Sequence, residues 1–263
     1  MPKLIACDID GTLIPYGQSR LPDALFPLLH RLRSAGILFC PASGRQFHSL
    51  RGLFAPAAEE LCFLCENGAI LYGPGREETA PVLGKTPMPR QEAAALARDI
   101  LALEGCQLLV SGANVSYVSH CPQFYIDYMA GEKGNNVQVI ERLEDIPEDI
   151  IKVSVYCPGG TAAPQRLLGP RWGHLGMAAA GADWVDFTLA DKGTGIRDLC
   201  AALDIGLQEV WAFGDNWNDK PMLEAVGTPW LMESADPALK RLFPRHCASV
   251  LVQLEALLDQ AER

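Results

Sequence analysis

At 263 residues the chain is long enough for one large domain or two modest ones. Hydrophobic residues at 49% and charged residues at 21% exclude a disordered or fibrous protein. A formal net charge of -10 argues against nucleic acid or an anionic membrane as partner, and no run approaches the ~18 apolar residues that span a bilayer.

Lys3 to Ile9 is a short apolar run of strand formers ending in Asp8-Ile9-Asp10-Gly11-Thr12. The stretch before Asp8 is too short for a secretory signal, so a cytoplasmic protein is expected. Leu21-Pro22-Asp23 opens a helix whose apolar positions are Leu25, Leu28, Leu29 and Leu32, and Gly36 stops it. Ile37 to Cys40 reads as a second buried strand running into Ser43-Gly44-Arg45. A helical stretch follows to about Phe54, then strand-like Leu61 to Cys65, then Glu66-Asn67-Gly68-Ala69. Strand, helix, strand, helix at this spacing predicts a parallel sheet with crossover helices. Cys62 and Cys65 make a C-x-x-C without a second pair or nearby His, and with Cys7, Cys40 and Cys200 they read as buried thiols in a reducing compartment.

The middle of the chain differs. Gly73-Pro74-Gly75 and the stretch Pro81 to Pro89 are rich in helix breakers. Arg90 to Leu103 reads as a strong helix, and Gln107 to Ser111 with Val115 to Ser119 as a hairpin around Gly112-Ala113-Asn114. Pro122 to Met129 reads as helix, Ile151 to Tyr156 as strand and Pro164 to Leu168 as helix. The strands here alternate, which predicts a sheet with one exposed face. The reading is an α+β insertion over residues 82–187, splitting a core domain made of residues 1–81 and 188–263. Beyond Lys192 the parallel pattern resumes with helix Gly195 to Leu203, strand Glu209 to Phe213, helix Lys220 to Val226, strand Pro229 to Met232 and a closing amphipathic helix from Val250 to Gln260.

Open parallel sheets form sites beyond the carboxyl ends of their strands. Four such ends carry polar clusters: Asp8 and Asp10, Ser43-Gly44-Arg45, Asn67, and Asp215 with Asn218 and Asp219. One acidic residue after a strand is commonly only a helix cap, but four clusters, each beside a glycine, fit that reading poorly. Four carboxylates brought together would raise one another's pKa values unless a cation sat among them, and carboxylate oxygens suit Mg²⁺. One carboxylate could then attack phosphorus, and a second two residues on could pass the proton. Lys192 in Asp191-Lys192-Gly193 is the natural cation for the transferring phosphoryl, and Ser43 offers a hydroxyl beside Gly44.

Asp8-Ile9-Asp10-Gly11-Thr12-Leu13, Ser43-Gly44-Arg45, Lys192-Gly193 and Gly214-Asp215-Asn216-Trp217-Asn218-Asp219 together resemble the four ordered motifs of haloacid dehalogenase superfamily phosphatases. Asn67-Gly68-Ala69 and Met222-Leu223 are similar to the Cof-like subfamily. The resemblance implies a doubly wound α/β core with an inserted α+β cap, and hydrolysis of sugar phosphates or similar small phosphorylated metabolites. It implies Asp8 as nucleophile and Asp10 as acid and base. Mg²⁺ would be held by the Asp8 carboxylate, the Asp10 backbone carbonyl and Asp215, with Asp219 supporting through water. Gly11, Ser43, Gly44, Lys192 and Asn218 would surround phosphate, and Arg45 and Asn67 are candidate substrate contacts. Two stretches depart from the family pattern: Glu233-Ser234-Ala235, where Gly-Asn-Ala is common, and Ala248-Ser249-Val250.

Receiver domains share an acidic Mg²⁺ site but are about half this length and lack an acid two residues after the acceptor. A phosphomutase and a non-catalytic phospho-ligand binder stay open as alternatives, and oligomeric state is not legible. Tyr117, Tyr125, Tyr128, Trp172, His174 and Trp184 within the insertion line a substrate pocket or, by the plainer reading, form its core or lie scattered on its surface.

Overall fold

The computed structural model describes residues 1–261, so residues 262 and 263 of the expected core segment lie outside it. In chain order the first elements are β1 (Leu4–Cys7), α1 (Leu25–Ser34), β2 (Leu38–Pro41), α2 (Phe47–Leu53), β3 (Phe63–Cys65), β4 (Ile70–Tyr72) and β5 (Val82–Lys85). Next come α3 (Arg90–Leu101), β6 (Gln107–Ser111), β7 (Ser116–Val118), α4 (Gln123–Asp127), β8 (Val137–Val139), β9 (Lys152–Tyr156), α5 (Ala162–Trp172), β10 (Met177–Ala179) and β11 (Trp184–Phe187). The chain closes with α6 (Lys192–Leu203), β12 (Val210–Gly214), α7 (Lys220–Ala225), β13 (Thr228–Met232), α8 (Pro237–Lys240), β14 (His246–Cys247) and α9 (Val250–Ala261). Two compact units result among the described residues: Met1–Arg45, Leu50–Gly84 and residues 191–261 form one, and Gln46–Ser49 with Lys85–Ala190 form the other.

The first unit is built on a five-stranded sheet of order β14-β13-β12-β1-β2, parallel at every pairing. Every residue of β1 is buried, as expected of a strand covered on both faces. Leu4 and Ala6 join a core with Cys40, Ala42, Leu64, Ile196, Leu199, Ala212 and Leu223, and alternation turns Ile5 and Cys7 to the opposite face. The register pairs Cys7 with Phe213, so β1 and β12 end side by side. Asp8 and Asp215 therefore leave the sheet at the same edge. A small sheet, β3-β4-β5, completes the unit and touches β2 through a bridge between Ala42 and Leu64.

Helix α6 starts at Lys192 rather than at Gly195. Two early glycines weaken its propensity, but a reciprocal cap outweighs them. The Thr194 N–H donates to Asp191 Oδ1 at 2.7 Å, and the Asp191 N–H donates to Thr194 Oγ1 at 2.9 Å. That cap decides where Lys192 stands.

The second unit holds a six-stranded sheet of order β10-β11-β9-β6-β7-β8, antiparallel except between β7 and β8. One face packs Leu108, Val110, Val153, Val155, Val185 and Phe187 against α3 and α5. The other face carries polar groups: Ser154 Oγ donates to Asp186 Oδ1 at 2.7 Å, and Lys152 Nζ lies 3.4 Å from Asp186 Oδ2. Tyr117, Tyr125 and Trp172 are buried, which favours the plainer reading of the aromatic residues. Tyr117 donates to Glu148 at 2.7 Å and the Trp172 indole to Asp99 at 2.8 Å. His174 is exposed on Glu92 at 2.6 Å. Tyr128 and Trp184 flank the Tyr156 ring, with centroids 5.3 and 5.0 Å away.

Cys62 and Cys65 are buried free thiols. Burial pushes Cys62 up to about 12 and Cys65 well above the usual thiol range, so the C-x-x-C acts as core packing. Among the described residues, no helix is long and apolar enough to cross a membrane.

Candidate active site

Asp8 follows β1 directly and is buried. The chain then turns back, with the Gly11 N–H donating to the Ile14 carbonyl and the Ile14 N–H to that of Ile9, both at 2.8 Å. Gly11 sits at φ +99°, a conformation that a side chain strains, and a Cβ there would stand 2.3 Å from Asp215 Oδ2. The turn is thus pressed against the second strand end. Gly11→Ala is expected to lower turnover about 10²-fold by displacing Asp215, and to lower stability by about 1–2 kcal/mol. Steady-state kinetics and urea unfolding of the variant measure both.

Beyond β12 the loop is folded by Asp219. Its Oδ2 accepts the N–H groups of Asp215 and Asn216, each at 3.0 Å. The Asp215 carboxylate is held by two residues outside the set expected from sequence. Thr12 Oγ1 donates to Oδ1 at 2.9 Å and the Tyr16 hydroxyl to Oδ2 at 2.6 Å. That hydrogen bond, with some burial, holds the Tyr16 phenol above its ordinary range. Thr12 lay within the first motif and could have been found there. Tyr16 had no such signal, because its hydrogen bond to Asp215 joins residues 199 positions apart in the chain.

Lys192 enters from the first turn of α6 and is wholly buried. Its ammonium donates to Asp8 Oδ1 and, at 2.5 Å, to Asp219 Oδ1. Burial alone would lower its pKa, but Asp219 and Asp8 more than offset that and hold it raised. Burial, then Asp219, push the Asp8 carboxyl well above its usual range, with Lys192 opposing. Asp8, Asp215 and Asp219 each offer an oxygen within 4.8 Å of the others. Three carboxylates against one ammonium leave an excess of negative charge among hard oxygen donors, a set that fits Mg²⁺.

Three carboxylates meet here rather than the four the strand ends suggested. The Asp10 side chain is turned away from this group and 56% exposed, gripped by Arg45 through Nη2 at 2.7 Å and Nε at 3.0 Å. Asp219 uses both of its oxygens within the protein, Oδ1 accepting from Lys192 and Oδ2 from the Asp215 N–H. Ser43 is buried, and its Oγ accepts the Arg45 N–H at 3.3 Å. Asn218 is exposed and its amide lies 3.5 Å from Asn67 Oδ1. A Cβ added to Gly44 would touch the Asn67 amide at 3.1 Å, so these residues share one rim.

The Glu66–Gly68 turn ties this rim to Lys192. Glu66, Asn67 and Gly68 all have positive φ, a run that costs about 1–3 kcal/mol for each non-glycine residue. It is held by N–H bonds from Glu66 to the Arg45 carbonyl at 3.1 Å and from Asn67 to that of Ser43 at 3.0 Å. Gly68 lets the turn lie against the start of α6, where a Cβ would meet the Asp191 carbonyl at 2.3 Å.

A family model described as haloacid dehalogenase-like hydrolase matches residues 5–249. The chain is 27% identical over 250 residues to the pyridoxal phosphate phosphatase of Escherichia coli (strain K12), covering 90% of each protein. It is 24% identical over 241 residues to the 5-amino-6-(5-phospho-D-ribitylamino)uracil phosphatase of the same organism, covering 90% of this chain and 87% of the relative. A solved chain from Eubacterium rectale superposes with a TM-score of 0.83 at 27% identity, over 97% of this chain and 99% of that one.

Proposed function

The chain belongs to the haloacid dehalogenase-like hydrolases and is a phosphoric monoester hydrolase; we propose that it cleaves small phosphorylated metabolites through an aspartyl-phosphate on Asp8. The observation that carries this reading is the buried Lys192 ammonium between Asp8 and Asp219, with Asp215 alongside, at the ends of β1 and β12. A buried cation at this point gives a dianionic phosphoryl group a fixed counter-charge in a protein that is otherwise acidic.

In this reading Asp8 Oδ2 attacks phosphorus while Lys192 orients Oδ1 and neutralises charge on the phosphoryl oxygens. Asp10, at the exposed rim, gives a proton to the departing ester oxygen and later takes one from the attacking water. Arg45 holds the Asp10 carboxylate in place until substrate arrives. Ser43 keeps its hydroxyl proton for phosphate, because its oxygen accepts from the Arg45 N–H. Asn218 and the Gly44 backbone complete the cradle, and Asn67 stands where the rest of the ester would pass. Mg²⁺ would be held by Asp8, Asp215 and the Asp10 carbonyl, with Asp219 behind them, and when bound it supplies positive charge that polarises the phosphoryl group.

The names of both relatives describe monophosphate esters bearing a nitrogen heterocycle. The substrate class proposed is therefore small phosphometabolites, with heterocyclic esters beside sugar phosphates. Phosphate release from a panel of both kinds, with Mg²⁺ and with chelator, tests it. Turnover of some members that chelator abolishes and Mg²⁺ restores is the expected result. Undiminished turnover in chelator would overturn the metal assignment, and no turnover of any ester by folded, Mg²⁺-supplied protein would overturn the substrate class.

A further inference from the structure

Cys106 and Cys157 stand just outside two paired strands. In the β6–β9 pairing Gln107 faces Tyr156 and Leu108 faces Val155, so one step outward places Cys106 directly opposite Cys157. The Cys157 N–H donates to the Asp183 carbonyl at 2.7 Å, toward β11, and the Cys106 N–H goes to Leu103. The two cysteines are therefore not hydrogen-bonded to each other through the backbone. Opposed residues of that type in an antiparallel pair have Cα atoms about 4.5 Å apart, inside the range of about 4.4–6.8 Å that a disulfide spans.

Direct opposition also sends both side chains to the same face, the one lined by Leu108, Val110, Val153 and Val155. Burial and the neighbouring Cys157 thiol push Cys106 up to about 12. Both residues are half-buried, unlike the enclosed Cys7, Cys40, Cys62, Cys65 and Cys200, and both are free.

We propose that Cys106 and Cys157 are a redox modification site, closing a reversible cross-strand disulfide when the protein meets a low-molecular-weight disulfide. In the first step one cysteine, as thiolate, attacks a sulfur of the reagent, forming a mixed disulfide and expelling one reagent thiolate. The second cysteine then attacks the protein-side sulfur of that mixed disulfide, forming the Cys106–Cys157 bond and expelling the other reagent thiolate. The protein sulfurs lose two electrons, the reagent disulfide gains them, and the two thiol protons pass to the two released reagent thiols. The bond would tie two central strands of this sheet and close the loop that carries β7 and β8.

The test exposes the reduced full-length protein to excess oxidised glutathione, blocks remaining thiols with a maleimide and maps the peptides by mass spectrometry. The expected result is joint loss of Cys106 and Cys157 from the alkylated pool, their recovery as one cross-linked species, and reversal by dithiothreitol. The oxidised protein should melt on the order of 5 °C higher. Cys106→Ser and Cys157→Ser should each abolish both the cross-link and the shift. Separate glutathione adducts on the two cysteines would overturn the proposal, as would a cross-link between other cysteines. So would full alkylation of both residues under conditions that oxidise the urea-unfolded chain.

Discussion

Asp8→Asn is expected to lower turnover of the best phosphate ester at least about 10⁴-fold, the scale on which loss of a covalent nucleophile is felt. The amide has the shape of the carboxylate, so the site should keep its geometry. It should also keep its stability. Burial and the charge of Asp219 already disfavour the ionised Asp8, and Lys192 retains Asp219 as partner. A variant that folds as the wild type, by near-UV circular dichroism and urea midpoint, and still lacks turnover separates chemistry from folding. Turnover within tenfold of wild type would remove Asp8 from the nucleophile's role.

Lys192→Met is expected to damage both activity and stability. Methionine fills much of the volume of the lysine stem but leaves Asp8 and Asp219 buried together with no ammonium between them. Breaking a buried ion pair from one side costs about 3–5 kcal/mol, since the remaining charge has lost its partner and cannot return to water. Loss of fixed positive charge at the phosphoryl group should lower turnover by about 10³-fold. Adding Asp219→Asn removes one stranded carboxylate, so the double variant should recover part of the lost stability and none of the activity. An unchanged urea midpoint for Lys192→Met would show that the ammonium does not hold the site together.

The strand ends were the most legible part of the sequence. Apolar runs over Leu4–Cys7 and Val210–Gly214, each ending in Asp and Gly, marked a parallel sheet and its functional edge, and both strands appear with their ends in register. The start of α6 was less legible. Helix was expected only from Gly195 onward, because Gly193 has low helix propensity, while the Asp191 and Thr194 cap that starts it at Lys192 is a side-chain geometry. In the second unit, β8, β10 and β11 escaped detection. Val137–Val139 and Met177–Ala179 are short edge strands with much exposed surface, so they carry little alternation to read.

The same division runs through the site. Residue types and order singled out Asp8, Asp215, Asp219 and Lys192, but not which carboxylates touch. Asp10 was grouped with the cluster because it lies two residues from Asp8. The turn at Gly11 instead leaves its side chain on Arg45. The C-x-x-C drew notice by its spacing, yet the cysteines that face each other across a strand pair are Cys106 and Cys157, which are far apart in sequence. Register, rather than spacing, brings them together.

The covalent intermediate is the central claim, and acid-quenched single turnover with an ester labelled in its phosphoryl group tests it most directly. Label retained on protein at early times, lost as phosphate appears, and mapped to the peptide containing Asp8 is the predicted result. Phosphate formed at full rate with no label on the protein at any time would contradict it, and would point to direct attack by water.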